Sequence, residues 1–370
     1  MDLNELVHDI STKLEVEISD VSGLMDGQSH QIYQLKYPRG EVWSLRIPKT
    51  EAAASIGKRG MSVLNHLKKV QPALQVPKPI YQSNEYALLS FLDGDTLGAW
   101  DSAKLPEKRR HQLLNSLAAF LFELWLSPAP QSGKKLMKTK FYVIQVFANL
   151  ATNQVCSKSY REWLRDEIDK AFLRSLPESS GWGDPLTFLY RRANMESVIA
   201  VGNCVKVAVR HGDLNAWNII VDEEGISGVI DWDTAQYVPM PAAVHHPLFI
   251  ADIPGWSNDI PEGMTFQEDR AYLEVMLHKL ATERRDSNGL WIADLLKTSC
   301  ERQFFELSLR NKRINICYID MRIENTMVDK AVVKEQLDAL LSISPKFRGH
   351  PDILKLYLRL DGGGSVLLNS

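Results

Sequence analysis

Residues 209–236 read VRHGDLNAWNIIVDEEGISGVIDWDTAQ and gather a His, two Asn and several carboxylates around two apolar runs. Asp213 stands just before LNAWN, Asn218 opens the run NIIV, and Asp231 closes the run GVI. The intervening DEEG is a turn sequence, so the two runs read as short buried strands paired in a hairpin. Asn218 and Asp231 then fall at the same end of it, where their oxygens can share a cation. Carboxylate and amide oxygens suit a hard ion such as Mg²⁺, which takes few protein ligands and completes its shell with water and phosphate oxygens. Loop ends displayed by a hairpin that cannot move account for polar groups beside strands that want burial.

The elements around this stretch must hold it still. The N-terminal MDLNELVHDISTKLEV has Leu3, Leu6, Val7, Ile10 and Leu14 at helical spacing, interleaved with charge, and so reads as an amphipathic helix rather than a signal peptide. HQIYQLKY (30–37) and EVWSLRIP (41–48), separated by PRG, read as an antiparallel hairpin. Residues 51–70 read as a helix whose glycines count against it. QVPKPIYQ and YALLSFLDGDTL add two extended runs, so residues 1 to 95 form a small sheet carrying one helix. From residue 100 onward the pattern is helical, with Leu113, Leu114, Leu117, Leu121 and Leu124 on one face and Trp163, Leu164, Ile168, Ala171 and Phe172 on another. Further helices are expected over 267–284, 289–310 and 330–342, and a frayed tail at DGGGS (361–365).

Composition excludes several classes. The chain has 370 residues, 45% hydrophobic and 24% charged, with a formal net charge of -3, which suits a globular protein and offers no bulk attraction to nucleic acid or an anionic membrane. Its most apolar helical stretch, 113–126, contains Glu123 and is too short to span a bilayer, so a cytoplasmic protein is expected. Cys156, Cys204, Cys300 and Cys317 form no CxxC pair and have no His at metal-ligand spacing, so they read as buried reduced thiols.

The pattern H-G-D-x-x-x-x-N, followed by an apolar strand, a turn and I-D-W, resembles the aminoglycoside phosphotransferase and choline kinase-like group, relatives of the protein kinases, and in particular its members from filamentous fungi. The resemblance is dense over 209–239, follows the order of elements before that, and beyond about 260 reaches only a helical region. It implies an α+β, two-lobed protein kinase-like fold, with a small β-rich N-terminal lobe (1–95), a larger mainly helical C-terminal lobe (96–370) and an ATP·Mg²⁺ cleft between them. It implies transfer of the γ-phosphoryl group to a hydroxyl of a small-molecule acceptor. Asp213 becomes the catalytic-loop Asp that orients the hydroxyl or takes its proton, Asn218 and Asp231 the metal ligands, and His211 a residue that packs the loop. Gly27, Gln28 and Ser29 stand at the tip of the phosphate-covering turn. Ser90 to Leu92 form the hinge, whose backbone reads a purine edge and leaves GTP open beside ATP. The acceptor pocket falls to helices between 100 and 205 and from 245 onward, with Trp163, Trp182, Trp256 and Trp291 as candidate lining or core.

The chain departs from that pattern in places. Arg46 stands where a phosphate-binding Lys is usual, and the two cations differ in geometry. The Glu expected on the next helix is absent from its middle, where GKRG places Lys58 and Arg59, read as a solvated face, while Glu51 sits at the helix start. No G-x-G-x-x-G covers the phosphates, IDWD replaces D-F-G, and no A-P-E follows, which sets the chain apart from protein kinases. Arg46 and the missing Glu also admit a catalytically silent, nucleotide-binding or scaffolding relative. Asp233 reads either as support for the metal shell or as a solvated carboxylate, and His245 and His246 as a packed turn.

Overall fold

The computed structural model describes residues 3–101, 104–130, 158–197, 204–256 and 265–368, and Cys156 lies outside them. The described residues divide into two compact units, the first drawn from 1–99, 115–155 and 211–236 and the second from 100–114, 156–210 and 237–370. The polar stretch 211–236 therefore belongs with the N-terminal sheet.

Helix α1 (Leu3–Leu14) precedes strands β1 (Asp20–Asp26), β2 (His30–Lys36) and β3 (Val42–Pro48). After helix α2 (Glu51–Val70) come β4 (Pro79–Gln82) and β5 (Ala87–Ser90), and the five strands form an antiparallel sheet in the order β1-β2-β3-β5-β4. Alternation along the strands gives each face its own task. Leu35, Tyr37, Trp43, Leu45 and Leu88 share one core with Leu6 and Ile10 of α1. Arg46 lies in register with Ile32 and Ala87, one residue on from Leu45, and so points to the opposite face. The turn between β2 and β3 closes with the Gly40 amide donating to the Tyr37 carbonyl, and Gly40 adopts φ +84°, which its lack of a Cβ permits.

Helix α2 covers the expected residues, starting at Thr50, whose side chain accepts from the Ala53 amide. Beyond β6 (Asp95–Thr96) and helix α3 (Glu107–Leu126), which contributes residues to both units, β7 (Val207–Arg210) leads into the polar stretch. There β8 (Ile219–Val221) and β9 (Ile226–Val229) pair as the expected hairpin, with β6 beside β8. β10 (Gln236–Pro239) pairs with β7.

The second unit is mainly helical, with helices at Tyr160–Ser175, Leu186–Ala193, Gln267–Glu283, Ser287–Lys297, Ser299–Ser308, Lys312–Arg322, Lys330–Ile343 and Pro351–Leu360. The single helix expected over 289–310 is two. The chain breaks at Thr298, and the Arg302 guanidinium takes up the carbonyls of Leu295, Pro241 and Val244, so the freed helix end is not left unpaired. The tail expected to fray instead returns as a strand, Ser365–Leu367, paired with Met327–Asp329 and anchored by the fully buried Leu368. Cys204, Cys300 and Cys317 are free but half-buried rather than buried. Among the described residues no helix is long and apolar enough to cross a membrane.

Candidate active site

The catalytic-loop candidates are fixed by one another. His211 is buried; its Nε2 lies 2.8 Å from the Ile230 carbonyl, its Nδ1 accepts from the Asp213 amide at 3.3 Å, and its ring meets Trp232 edge-on. Burial lowers its pKa, so it serves as a neutral brace of the loop. Gly212 adopts φ +90°, and a Cβ there would lie 2.7 Å from the Thr234 carbonyl. The Thr234 hydroxyl in turn donates to the His211 carbonyl. The turn containing Asp213 is thereby tied to the turn that follows β9.

Both carboxylate oxygens of Asp213 are held. Asn215 Nδ2 donates to Oδ1 at 2.9 Å, and Asn218 Nδ2 reaches Oδ2 at 3.3 Å and the Asp213 carbonyl at 2.8 Å. Asn215 was not singled out from the sequence, and it also caps the following turn, accepting from the Trp217 amide. With its nitrogen committed to Asp213, the Asn218 side chain keeps its Oδ1 out of that contact. The Ile230 amide donates to the Asn218 carbonyl, which sets Asp231 at the same end of the hairpin as Asn218.

Asp231 occupies the left-handed region at φ 59°, ψ 61°, a conformation uncommon for non-glycine residues and typical of positions held for function. Desolvation by the packed groups around it, although its side chain stays 44% exposed, and the nearby charges of Asp233 and Asp213 push its pKa up to about 6, against the opposing pull of Arg46. Three acidic groups thus crowd one place, with the Arg46 guanidinium bonded to two of them and that of Arg59 on the Asp233 carbonyl. Among the described residues no three His, Cys, Asp or Glu side chains are disposed around one metal position. The expected ligands, the Asp231 carboxylate and the Asn218 amide oxygen, are a donor set compatible with Mg²⁺, an ion that keeps much of its shell for water and phosphate.

Arg46 sits in this cluster. Its Nη1 and Nη2 donate to the two oxygens of Asp233 at 2.9 and 2.8 Å, and Nη2 also reaches Asp231 Oδ1 at 3.2 Å. Burial, the largest influence, works against its charge, but Asp233 and Asp231 together outweigh it and raise its pKa. His30 lies 3.4 Å from both Arg46 Nη2 and Asp233 Oδ2, and burial and the Arg46 charge lower its pKa to about 4, so it stays neutral. The solvated face expected for Arg59 is overturned. Arg59 is 7% exposed and donates to the Asp233 carbonyl at 2.9 Å, because α2 lies against the 232–234 turn. Lys58, by contrast, is hydrogen-bonded to Asn84 at the surface. The glycines that counted against the helix make the approach possible: a Cβ on Gly60 would lie 2.8 Å from the Trp232 carbonyl oxygen, and one on Gly57 3.3 Å from the His30 ring.

The remaining candidates are more loosely placed. Gly27, Gln28 and Ser29 form the three-residue connection between β1 and β2, and the Ser29 carbonyl accepts from the Lys49 amide. At the expected hinge the Ser90 amide donates to the Lys78 carbonyl and the Phe91 amide to the Val42 carbonyl. Two of the three hinge N–H groups are therefore spent on the sheet. In the second unit His246 is enclosed between Ser299 and Glu274, and His245 lies 3.6 Å from the buried Glu306, a packed arrangement. Trp163 is 7% exposed between the guanidinium groups of Arg210 and Arg310, which makes it core.

A small five-stranded N-terminal sheet carrying two helices, a larger helical region after it, and an Asp-Asn-Asp loop cluster tied to a strand cation define the kinase-like phosphotransferase fold. A model of the phosphotransferase enzyme family (APH) matches residues 20–240, and the chain belongs to that family. Its fold is shared with the ADP-bound aminoglycoside phosphotransferase APH(2'')-Ib, at 16% identity and a TM-score of 0.54 over 92% of this chain and 97% of that one. The gentamicin complex of APH(2'')-IIa matches at 17% identity and 0.54, over 92% and 96%. The macrolide 2'-phosphotransferase MphH from Brachybacterium faecium, an apoenzyme, matches at 17% and 0.51, over 92% and 98%. No protein of curated function matches the chain.

Proposed function

We propose that this protein transfers the γ-phosphoryl group of ATP to a hydroxyl of a small molecule, with Mg²⁺ as the metal. The observation that carries the reading is the convergence of Asp213, Asn218 and Asp231 at the open end of one hairpin, with Arg46 bonded into the same cluster. Phosphoryl transfer asks for positioning and charge neutralisation more than for a strong base, and this cluster provides both. Asp213, its carboxylate fixed by Asn215 and Asn218, orients the acceptor hydroxyl and takes its proton as transfer completes. Asn218 Oδ1 and Asp231 hold the metal, which when bound neutralises phosphate charge. Arg46 contacts phosphate, the backbone of Gly27, Gln28 and Ser29 covers it, and the Leu92 amide is left to read the purine edge. Nucleotide complexes of the fold, such as the ADP-bound structure above, support a nucleoside triphosphate donor.

The test is to incubate the protein with ATP, Mg²⁺ and a metabolite extract and to search by mass for a species that gains one phosphoryl group. A product formed by the wild type and lost in Asp213→Asn supports the reading. ATP hydrolysis alone, with no phosphorylated acceptor, overturns it in favour of the silent nucleotide-binding relative.

A further inference from the structure

We propose that Asp233 is the positioning residue for Arg46, a two-point clamp that takes the part of the carboxylate missing from α2. The inference rests on the reading of Arg46 as the phosphate-binding cation. A long cationic side chain on a strand samples many rotamers and needs a fixed partner before it can meet a phosphate in one orientation. In this chain α2 brings Gly57, Arg59 and Gly60 to the place where a partner would stand, and its backbone closes onto the 232–234 turn instead. The partner comes from that turn. Asp233 is 7% exposed and receives both terminal nitrogens of Arg46 in parallel bonds of 2.9 and 2.8 Å, the fork geometry that fixes the plane of a guanidinium.

The rest of the cluster supports a clamp rather than a metal ligand at this position. The Asp233 backbone is pinned by Arg59, and its carboxylate is bonded to Arg46 beside a neutral His30. Arg46 makes two bonds to Asp233 and a single longer one, 3.2 Å, to Asp231. It can therefore release Asp231 to a metal without leaving its place. The pairing also explains why Arg stands on β3: a Lys ammonium cannot make two parallel bonds to one carboxylate.

The experiment measures the affinities of ATP and adenosine, each in Mg²⁺ and in EDTA, for the wild type, Asp233→Asn, Arg46→Met and the double variant, with thermal melts to confirm folding. Asp233→Asn is expected to weaken ATP about 10- to 100-fold in both conditions, the scale of a charge-assisted contact, and to leave adenosine unchanged. The double variant is expected to bind ATP as Arg46→Met does, because Asp233 acts through Arg46. A loss confined to Mg²⁺ would make Asp233 a metal ligand, an equal loss for adenosine would make it structural, and additive losses would make it independent of Arg46. Each of these overturns the clamp. If Arg46→Met leaves ATP affinity unchanged, the phosphate reading of Arg46 falls and the clamp with it. If Arg46→Met weakens ATP and Asp233→Asn does not, the clamp alone falls. Should Asp233→Asn fail to fold, Arg46→Lys tests the same grip from the other side, and wild-type ATP affinity in that variant overturns the clamp.

Discussion

Arg46 donates from Nη2 to Asp231 Oδ1 at 3.2 Å, so the cation expected to bind phosphate rests on the carboxylate expected to bind metal. The contact is the longest that Arg46 makes to a carboxylate, and the Asp231 side chain is 44% exposed while that of Arg46 is 13% exposed. An exposed oxygen held by one long bond is open to exchange. The bond keeps the acidic cluster partly neutralised.

Asp231→Asn is the replacement that isolates the metal role, because Asn tolerates the left-handed backbone that position 231 adopts, whereas Ala would add strain. The extra thermal stabilisation that Mg²⁺ adds to ATP binding should be largely lost in this variant, with the ligand-free melting temperature little changed. Differential scanning fluorimetry with ATP in Mg²⁺ and in EDTA reads both quantities. A wild-type difference between the two conditions would remove Asp231 from the metal site.

Gly60→Ala should destabilise the protein although Ala is the better helix former by about 1 kcal/mol. The added Cβ would lie 2.8 Å from the Trp232 carbonyl oxygen and 3.1 Å from the Asp233 Cα, backbone atoms that cannot swing aside. Overpacking of this kind costs about 1 to 3 kcal/mol. Gly57→Ala should cost less, since its Cβ would meet the end of the His30 ring at 3.3 Å and that ring has room to adjust. Urea unfolding midpoints of the two variants give the order, and a stabilised Gly60→Ala would contradict the close packing.

The local features of the fold were legible because their causes are local. Apolar runs around DEEG specified the β8–β9 hairpin, and the hairpin alone put Asn218 and Asp231 at one end. Arg59, Gly60 and Asp233 were not legible, because each takes its meaning from a residue more than 170 positions away along the chain. A glycine in a helix looks like weakness until the backbone that needs its missing Cβ is in place. The hinge was legible only as a location: strand pairing decides which amides are spent, and no composition signal shows that the Ser90 and Phe91 amides are. The helix Pro351–Leu360 was not among the expected elements, although its buried Ile353, Leu356 and Leu360 recur at helical spacing.

Glu167 ties the stability of the second unit to acid pH. Burial raises its pKa, but Arg310, Lys170 and Arg210 outweigh burial and hold it at about 2, below the ordinary value of 4.5. Arg310 Nε donates to it at 2.9 Å and Lys170 Nζ at 2.8 Å. A depressed carboxylate contributes stability that is fully present above its unfolded pKa and is lost as the pH falls through the folded one. The contribution is on the order of 3 kcal/mol at neutral pH and should fade between about pH 5 and pH 2. Urea unfolding of the wild type and Glu167→Gln should therefore show a gap at pH 7 that narrows across this window. A gap independent of pH would mean that the Glu167 charge is not what stabilises the unit.

Asp213→Asn separates a phosphotransferase from a nucleotide-binding relative. The amide is isosteric, but it presents a donor where Asn215 Nδ2 and Asn218 Nδ2 already donate, so the variant should lose about 1 to 2 kcal/mol of stability through one unmatched contact. Nucleotide affinity should change little, since Asp213 touches neither Arg46 nor the turn between β1 and β2 in any hydrogen bond. Turnover of the acceptor should fall about 10²- to 10⁴-fold, the range for a positioned acid or base. The fall should appear in kcat and kcat/KM together, as expected of an interaction made mainly in the transition state. Asn215→Ala supplies the graded comparison: it frees Asp213 Oδ1 without removing the carboxylate, so its kcat should lie between those of the wild type and Asp213→Asn. Near wild-type turnover in Asp213→Asn, measured on whatever acceptor the mass search identifies, would take Asp213 out of the mechanism.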